Sequence, residues 1–186
     1  MIVVGITIGA VVLVALALGF SFNGLVRSRN HCDNAWAQID VQLKRRHDLI
    51  PTLVEAVKGY AAHERGTFEM VTQARANAID AGQGGSPRQQ AQAENILSGA
   101  LKSLFAVAEA YPELKANRNF LNLQEELTST EDRVASFRQA YNDSVLRYDT
   151  RVQTFPRNMI VGRFHFKIRE FFEAEPEAET PVDVQF

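Results

Sequence analysis

The sequence predicts an all-α protein with an N-terminal transmembrane helix followed by a long antiparallel four-helix bundle. Three observations carry that expectation. No charged side chain occurs between Met1 and Phe22. Most of the remaining chain repeats apolar residues at spacings of three and four, the mark of one buried helix face. No stretch sustains the alternation of a half-buried strand.

The chain has 186 residues, enough for one folded domain and an anchor. A net charge of -2 argues against a general nucleic-acid binder, which carries a strong basic excess. The single cysteine, Cys32, excludes an internal disulfide.

The first element is the anchor, residues 1–22. As a helix it spans ~33 Å, the thickness of a bilayer core. A cleaved signal peptide has basic residues before its apolar run and a small-x-small cleavage site; neither is present, so the anchor is expected to stay. Arg27, Arg29 and Lys44-Arg45-Arg46 follow it, whereas no Lys or Arg precedes it. The positive-inside tendency then puts the N-terminus outside and the folded part in the cytoplasm of a bacterial inner membrane. Gly5-x-x-x-Gly9 is a weak signal for close packing of two anchors.

The bundle is expected over residues 23–156. Its first stripe is Leu25, Cys32, Trp36, Ile39 and Leu43. The second runs through Ile50, Leu53, Val54, Val57, Ala61, Phe68, Val71 and Ala78, interrupted by Glu64 and Arg75. Gly82-Gln83-Gly84-Gly85-Ser86-Pro87 then marks a loop and a helix start. The third stripe, Ala93, Leu97, Ala100, Leu104, Val107, Tyr111 and Leu114, meets Pro112, which ends or kinks a helix near Tyr111. The fourth runs from Phe120 to Phe155 and stops at Pro156, with Asn117 placed to cap it. Between the first two stripes, Asp48 and Pro51 read as a helix corner: Asp48 caps a new helix, Pro51 enters its first turn, and the preceding basic residues suit a helix C-terminus. One long helix kinked at Pro51 is the alternative.

These residues resemble a known family. Arg29-Asn30, Asn34-Ala35-Trp36-Ala37-Gln38-Ile39-Asp40-Val41-Gln42-Leu43-Lys44-Arg45-Arg46, Asp48-Leu49-Ile50-Pro51 and Val57-Lys58-Gly59-Tyr60 are similar to the LemA family. So are the run from Phe105 to Asn117, Tyr141-Asn142 and Phe155-Pro156. The resemblance extends from about residue 22 to Phe186. It implies a bacterial membrane protein with one N-terminal span and a long antiparallel helical bundle. A magnetosome-associated branch of the family points towards work at membranes. The family offers no established reaction and no agreed catalytic residues to carry over. Gly162-Arg163-Phe164-His165-Phe166 departs from its tail pattern in being more aromatic and basic.

Candidate chemistry is sparse. Cys32 sits on an apolar stripe and reads as a small core residue. His31, His47, His63 and His165 include no pair at the spacing of four used by helical metal sites, and none completes a Glu-x-x-His motif. Glu109 and Glu113 share a face, which reads as solvated. No Gly-rich phosphate loop is present. No metal or cofactor is therefore expected. Amides such as Asn34, Gln38, Gln42, Asn119 and Asn142 are candidates for fixing bundle register.

The C-terminal part carries the sharpest functional signal. Residues 157–172 interleave Arg157, Arg163, Lys167 and Arg169 with Phe164, Phe166, Phe171 and Phe172, the pattern of a segment attracted to anionic headgroups. An even number of helices returns the chain to the membrane. This segment is expected at the membrane surface or against a neighbouring subunit; packing on its own bundle is the plainer alternative. An acidic tail, 173–186, ends the chain. Together these features describe a non-enzymatic, membrane-anchored scaffold that contacts lipid and self-associates, organising or remodelling membrane. A monomeric adaptor that binds another protein through a bundle face is the second reading.

Overall fold

The structure is a computed structural model that describes residues 2–173. It is helical, with no strand among the described residues. Among the described residues six helices follow in order: α1 Ile2–Lys58, α2 Arg65–Gly84, α3 Pro87–Glu109, α4 Pro112–Lys115, α5 Arg118–Gln153 and α6 Asn158–Val161. The expected acidic tail begins at Glu173, and residues 174–186 lie outside the described residues. The chain forms two compact units. One joins the chain up to Gln38 with Gln139–Arg169; the other joins Ile39–Arg138 with the chain from Glu170 onward.

In the first unit, residues 2–20 are exposed along their whole length, as expected of a run without a polar face to hide. This is the one helical stretch among the described residues long and apolar enough to cross a membrane. Beyond it Leu25, Cys32, Tyr141, Val145, Tyr148, Val152, Ile160 and Phe166 are buried. Trp36 packs on Tyr141 with ring centroids 5.1 Å apart.

The second unit holds an apolar core in which Ile50, Leu53, Val57, Val71, Leu97, Leu104 and Leu114 are almost fully enclosed. Its joints follow local chemistry. Ser86 caps α3: its hydroxyl accepts from the Gln89 amide, while the Gln89 side chain accepts from the Ser86 amide, and Pro87 takes the first helical position. Pro112 separates α3 from α4 as the sequence predicts. Asn117 Oδ1 accepts from the amides of Asn119 and Phe120 at 2.9 and 3.3 Å, capping α5, and its Nδ2 donates to the Tyr60 hydroxyl at 3.1 Å.

The expected corner at Asp48 and Pro51 is not there. Both residues lie inside α1, and the chain turns instead at residues 59–64. The expected second helix is thus divided: its first part belongs to α1 and the rest to α2. The reason is a single replacement bond. Proline has no N–H, so Pro51 leaves the His47 carbonyl without its helical donor. Arg75 of α2 supplies one, with Nε donating to that carbonyl at 2.7 Å. Asp48 has no free helix terminus to cap. Gly59, directly after the last residue of α1, is where the helix gives way to turns closed by Tyr60 N–H and Ala61 N–H on the Val57 carbonyl.

Replacing Arg75 by Met leaves the His47 carbonyl unpaired and is expected to cost ~1–3 kcal/mol. With Pro51→Ala in the background the amide returns and most of that cost disappears. A double-mutant cycle read by thermal or denaturant unfolding checks the coupling; equal costs in both backgrounds contradict it.

Candidate functional site

The first unit places the C-terminal segment beside the end of the apolar run. Phe22 contacts Phe164 and Phe166 at ring-centroid distances of 4.8 and 5.7 Å. The Arg157 guanidinium lies against Gly24: a Cβ built there meets Arg157 Nε at 4.0 Å. Arg29 lies over the Phe166 ring at 5.6 Å. The turn that allows this packing follows α6. Phe166 N–H donates to the Val161 carbonyl at 3.2 Å, and His165 takes a left-handed φ of 56°.

Further along, Arg169 fastens the segment. Its Nη2 lies 2.6 Å from Asp33 Oδ1, its backbone N–H donates to Asp149 Oδ1 at 3.1 Å, and its guanidinium lies over Tyr148. Burial pushes the Tyr141 hydroxyl up to about 12, and raises Tyr148 and the Cys32 thiol, against the pull of Arg169. Burial also raises Asp149, opposed by the Arg169 amide and charge. For Arg169 itself burial acts downward, but the Asp33 hydrogen bond and charge outweigh it, with Cys32 and Tyr141 adding to the upward shift. The group therefore stays a guanidinium. A buried thiol pushed upward makes no nucleophile, in keeping with a core role for Cys32.

The expected interface residues thus divide. Phe166 and Phe172 are buried, Arg169 is committed to Asp33, and Phe171 is half-buried. Arg163, Phe164 and Lys167 are exposed, and Arg157 is half-buried. The segment packs on its own chain, against the last turn of the apolar run.

The second unit contains a polar cluster that stripe reading overlooks. Glu94 of α3 receives His47 Nε2 at 2.7 Å on Oε1 and faces Arg46 Nη1 at 3.5 Å from Oε2; Arg46 Nη2 donates to the Ser98 hydroxyl at 2.8 Å. All three charged or titratable groups are buried. The signal was present: Ile39, Leu43, Arg46 and Ile50 continue the spacing of four, three and four without a break. Beside the cluster is a cleft of about 420 Å³ lined by Asp40, Lys44, His47, Asp48, Gln83 and Gln90. Glu109 pairs with Lys115 rather than joining Glu113. No group of three or more His, Cys, Asp or Glu side chains suited to a metal occurs among the described residues.

Residues 35–186 match the profile of the LemA family. The chain belongs to that family. It is 25% identical to magnetosome protein MamQ 2 of Paramagnetospirillum magneticum, over 95% of this chain and 74% of the relative. It is 24% identical to magnetosome protein MamQ of Magnetospirillum gryphiswaldense, over 87% of this chain and 68% of the relative. It is 27% identical to protein LemA of Metamycoplasma hominis, over 87% of this chain and 73% of the relative. The residues that carry the LemA resemblance do structural work here. Trp36 packs at a tilt on Tyr141, Arg46 pairs with Glu94, Pro112 opens α4 and Asn117 caps α5.

Two outcomes follow. Glu94→Ala leaves the Arg46 charge buried without its partner and should destabilise the fold by ~3–5 kcal/mol, whereas Arg46→Met combined with Glu94→Met costs less than Glu94→Ala alone; chemical denaturation compares them. Asp33→Ala frees Arg169, so limited trypsin digestion, read by mass spectrometry, should cut after Lys167 and Arg169 sooner than in the parent. Unchanged cleavage means Asp33 does not fasten the segment.

Proposed function

We propose that this LemA-family chain is a non-enzymatic scaffold, held in the bacterial inner membrane by residues 1–22 and self-associating there to organise membrane. The observation that carries this reading is the exposed apolar run of residues 2–20, continuous in α1 with the residues that build the folded units. Lipid is the environment in which such a run needs no protein partner. The basic flank at Arg27 and Arg29 supports an N-terminus outside and a folded part in the cytoplasm. Contacts of Trp36 with Tyr141 in α5, and of Gly24 with Arg157 beyond the end of α5, support an antiparallel course for α1 and α5. We read α1, α2, α3 and α5 as the long helices of an antiparallel four-helix bundle. The similarity to magnetosome proteins supports work at a membrane.

A second reading, a monomeric adaptor, draws on the polar cleft beside His47, whose lining of Asp40, Lys44, Asp48 and Gln90 suits a hydrogen-bonding protein partner. Light scattering of the mildly solubilised protein separates the two readings. The scaffold gives a large, defined particle at full length that collapses when residues 1–22 are removed. A monomer in both forms, after correction for detergent, overturns the scaffold and leaves the adaptor.

A further inference from the structure

We infer that the surface carrying Phe155, Met159, Phe164 and Ile168, with Arg157, Arg163 and Lys167, is a second, interfacial membrane contact that takes anionic phospholipid headgroups. This inference rests on the reading of residues 1–22 as a lipid-embedded anchor.

Four observations converge on it. The first is exposure: Phe155, Met159, Phe164 and Ile168 are 72%, 68%, 51% and 67% exposed, although Ile160 and Phe166, interleaved with them, are buried. The segment has used its inward positions for its own core and left large apolar side chains outside. The second is position. Phe164 meets Phe22 and Arg157 meets Gly24, so both lie within about one helical turn of the end of the apolar run. A bilayer that holds that run brings its headgroup layer to this level.

The third observation is charge. Residues 1–32 and 150–169 contain no Asp or Glu, yet carry Arg27, Arg29, Arg151, Arg157, Arg163, Lys167 and Arg169. Of the carboxylates that flank these stretches, Asp33, Asp149 and Glu170, the first two engage Arg169. Arg27, Arg157, Arg163 and Lys167 form no ion pair among the described residues. Uncompensated cations beside exposed apolar side chains match the two layers of an anionic interface, phosphate above and acyl chain below. The fourth is an unmet polar group. Arg157 Nε is shielded from solvent and has no hydrogen-bond partner among the described residues, in a guanidinium that lies against Gly24. A guanidinium whose donors are not taken by the chain's own acceptors suits phosphate oxygens.

The contact works with the anchor rather than replacing it. One helix alone fixes depth but leaves rotation about its own axis free. A second attachment on one side of α1, fastened by Arg169 to Asp33, sets which face of the first unit lies against the bilayer.

Brominated-lipid quenching in the full-length chain tests this. Trp36→Phe removes the native indole, and single tryptophans are then placed by Val11→Trp, Met159→Trp, Phe164→Trp or Leu146→Trp. Leu146 is the control: it is exposed and lies on α5 beside Tyr148, at the level of Asp33, about 16 Å farther along α1 than Phe22. Each variant is reconstituted in vesicles of phosphatidylcholine alone or with phosphatidylglycerol, acyl chains brominated, and its helix content is checked by circular dichroism. Val11→Trp should be quenched in both lipids. Met159→Trp and Phe164→Trp should be quenched at least twofold more than Leu146→Trp in the anionic vesicles. Adding Arg157→Gln, Arg163→Gln and Lys167→Gln should return Met159→Trp to its level in neutral vesicles, while Arg157→Lys with Arg163→Lys keeps most of the effect.

If Val11→Trp is quenched and positions 159 and 164 behave like 146, the interfacial contact is wrong and the anchor stands. Quenching indifferent to lipid charge and to the glutamine substitutions overturns headgroup recognition. Protection of position 159 from both brominated lipid and aqueous acrylamide assigns the surface to a second protein copy and overturns the lipid contact. An unquenched Val11→Trp overturns the anchor and this contact together.

Discussion

Pro51 leaves the His47 carbonyl without the amide that a helix provides, and Arg75 fills that vacancy from another helix. The rest of the second unit depends on this exchange. A proline inside a helix costs ~3 kcal/mol or more through a lost hydrogen bond and a steric clash. Without an alternative donor, the cheaper solution is to end the helix before the proline. With Arg75 in place α1 continues to Lys58, and the residues after Pro51, from Leu53 to Val57, stay in phase with those before it. The same bond fixes where α2 lies against α1, since a short, directed contact to one carbonyl admits no sliding. Backbone repair and helix registration are therefore one interaction.

The buried Arg46, His47 and Glu94 group acts in the same sense on α3. Apolar stripes of small and branched residues are poor at choosing a register, because a shift of one turn exchanges one aliphatic contact for another. A buried carboxylate that must meet both Arg46 and His47 has one acceptable position. Burial of the charges is not in itself stabilising, for desolvation offsets much of the attraction. Its effect is to penalise the alternatives: any displaced arrangement strands a charge in an apolar interior. Arg75 and Glu94 together thus hold α2 and α3 on neighbouring residues of α1, His47 serving one with its carbonyl and the other with its ring.

Much of this was legible in the sequence, and what was not has a physical reason. The helix-period stripe identified Leu97, Ala100 and Leu104 in the core of α3 but not Gln90, Ala91, Glu94, Leu101 or Ala108 beside them, and Ser86-Pro87, Pro112 and Asn117 marked the joints, because caps and prolines act through their immediate neighbours. The exposed apolar helix of residues 2–20 was legible for the same kind of reason, as a run without charge. The corner at Pro51 was misplaced because a proline's effect depends on what lies near it in space, and Arg75 is distant in sequence. Arg75 and Arg46 nevertheless left a trace, as charged residues at stripe positions. In the C-terminal segment, composition gave the mixture of basic and aromatic side chains but not which of them face inward. That division is set by the turn at His165, which directs Phe166 into the core and leaves Phe164 exposed.

The two units use charge in opposite ways, and the contrast follows from where each set of charges resides. In the second unit the Arg46 and Glu94 charges are buried, mutually paired and specific about geometry. In the first, cations gather on the surface next to the apolar run, and the carboxylates within that unit that adjoin them, Asp33 and Asp149, are both spent on Arg169. Had those two acids been spread among Arg27, Arg157 and Lys167, local neutralisation would have removed the attraction to an anionic surface. Concentrating both on one arginine fastens the segment and leaves the remaining cations unopposed. A single arrangement thereby supplies structural closure and a net positive face at the point where the chain leaves the apolar run.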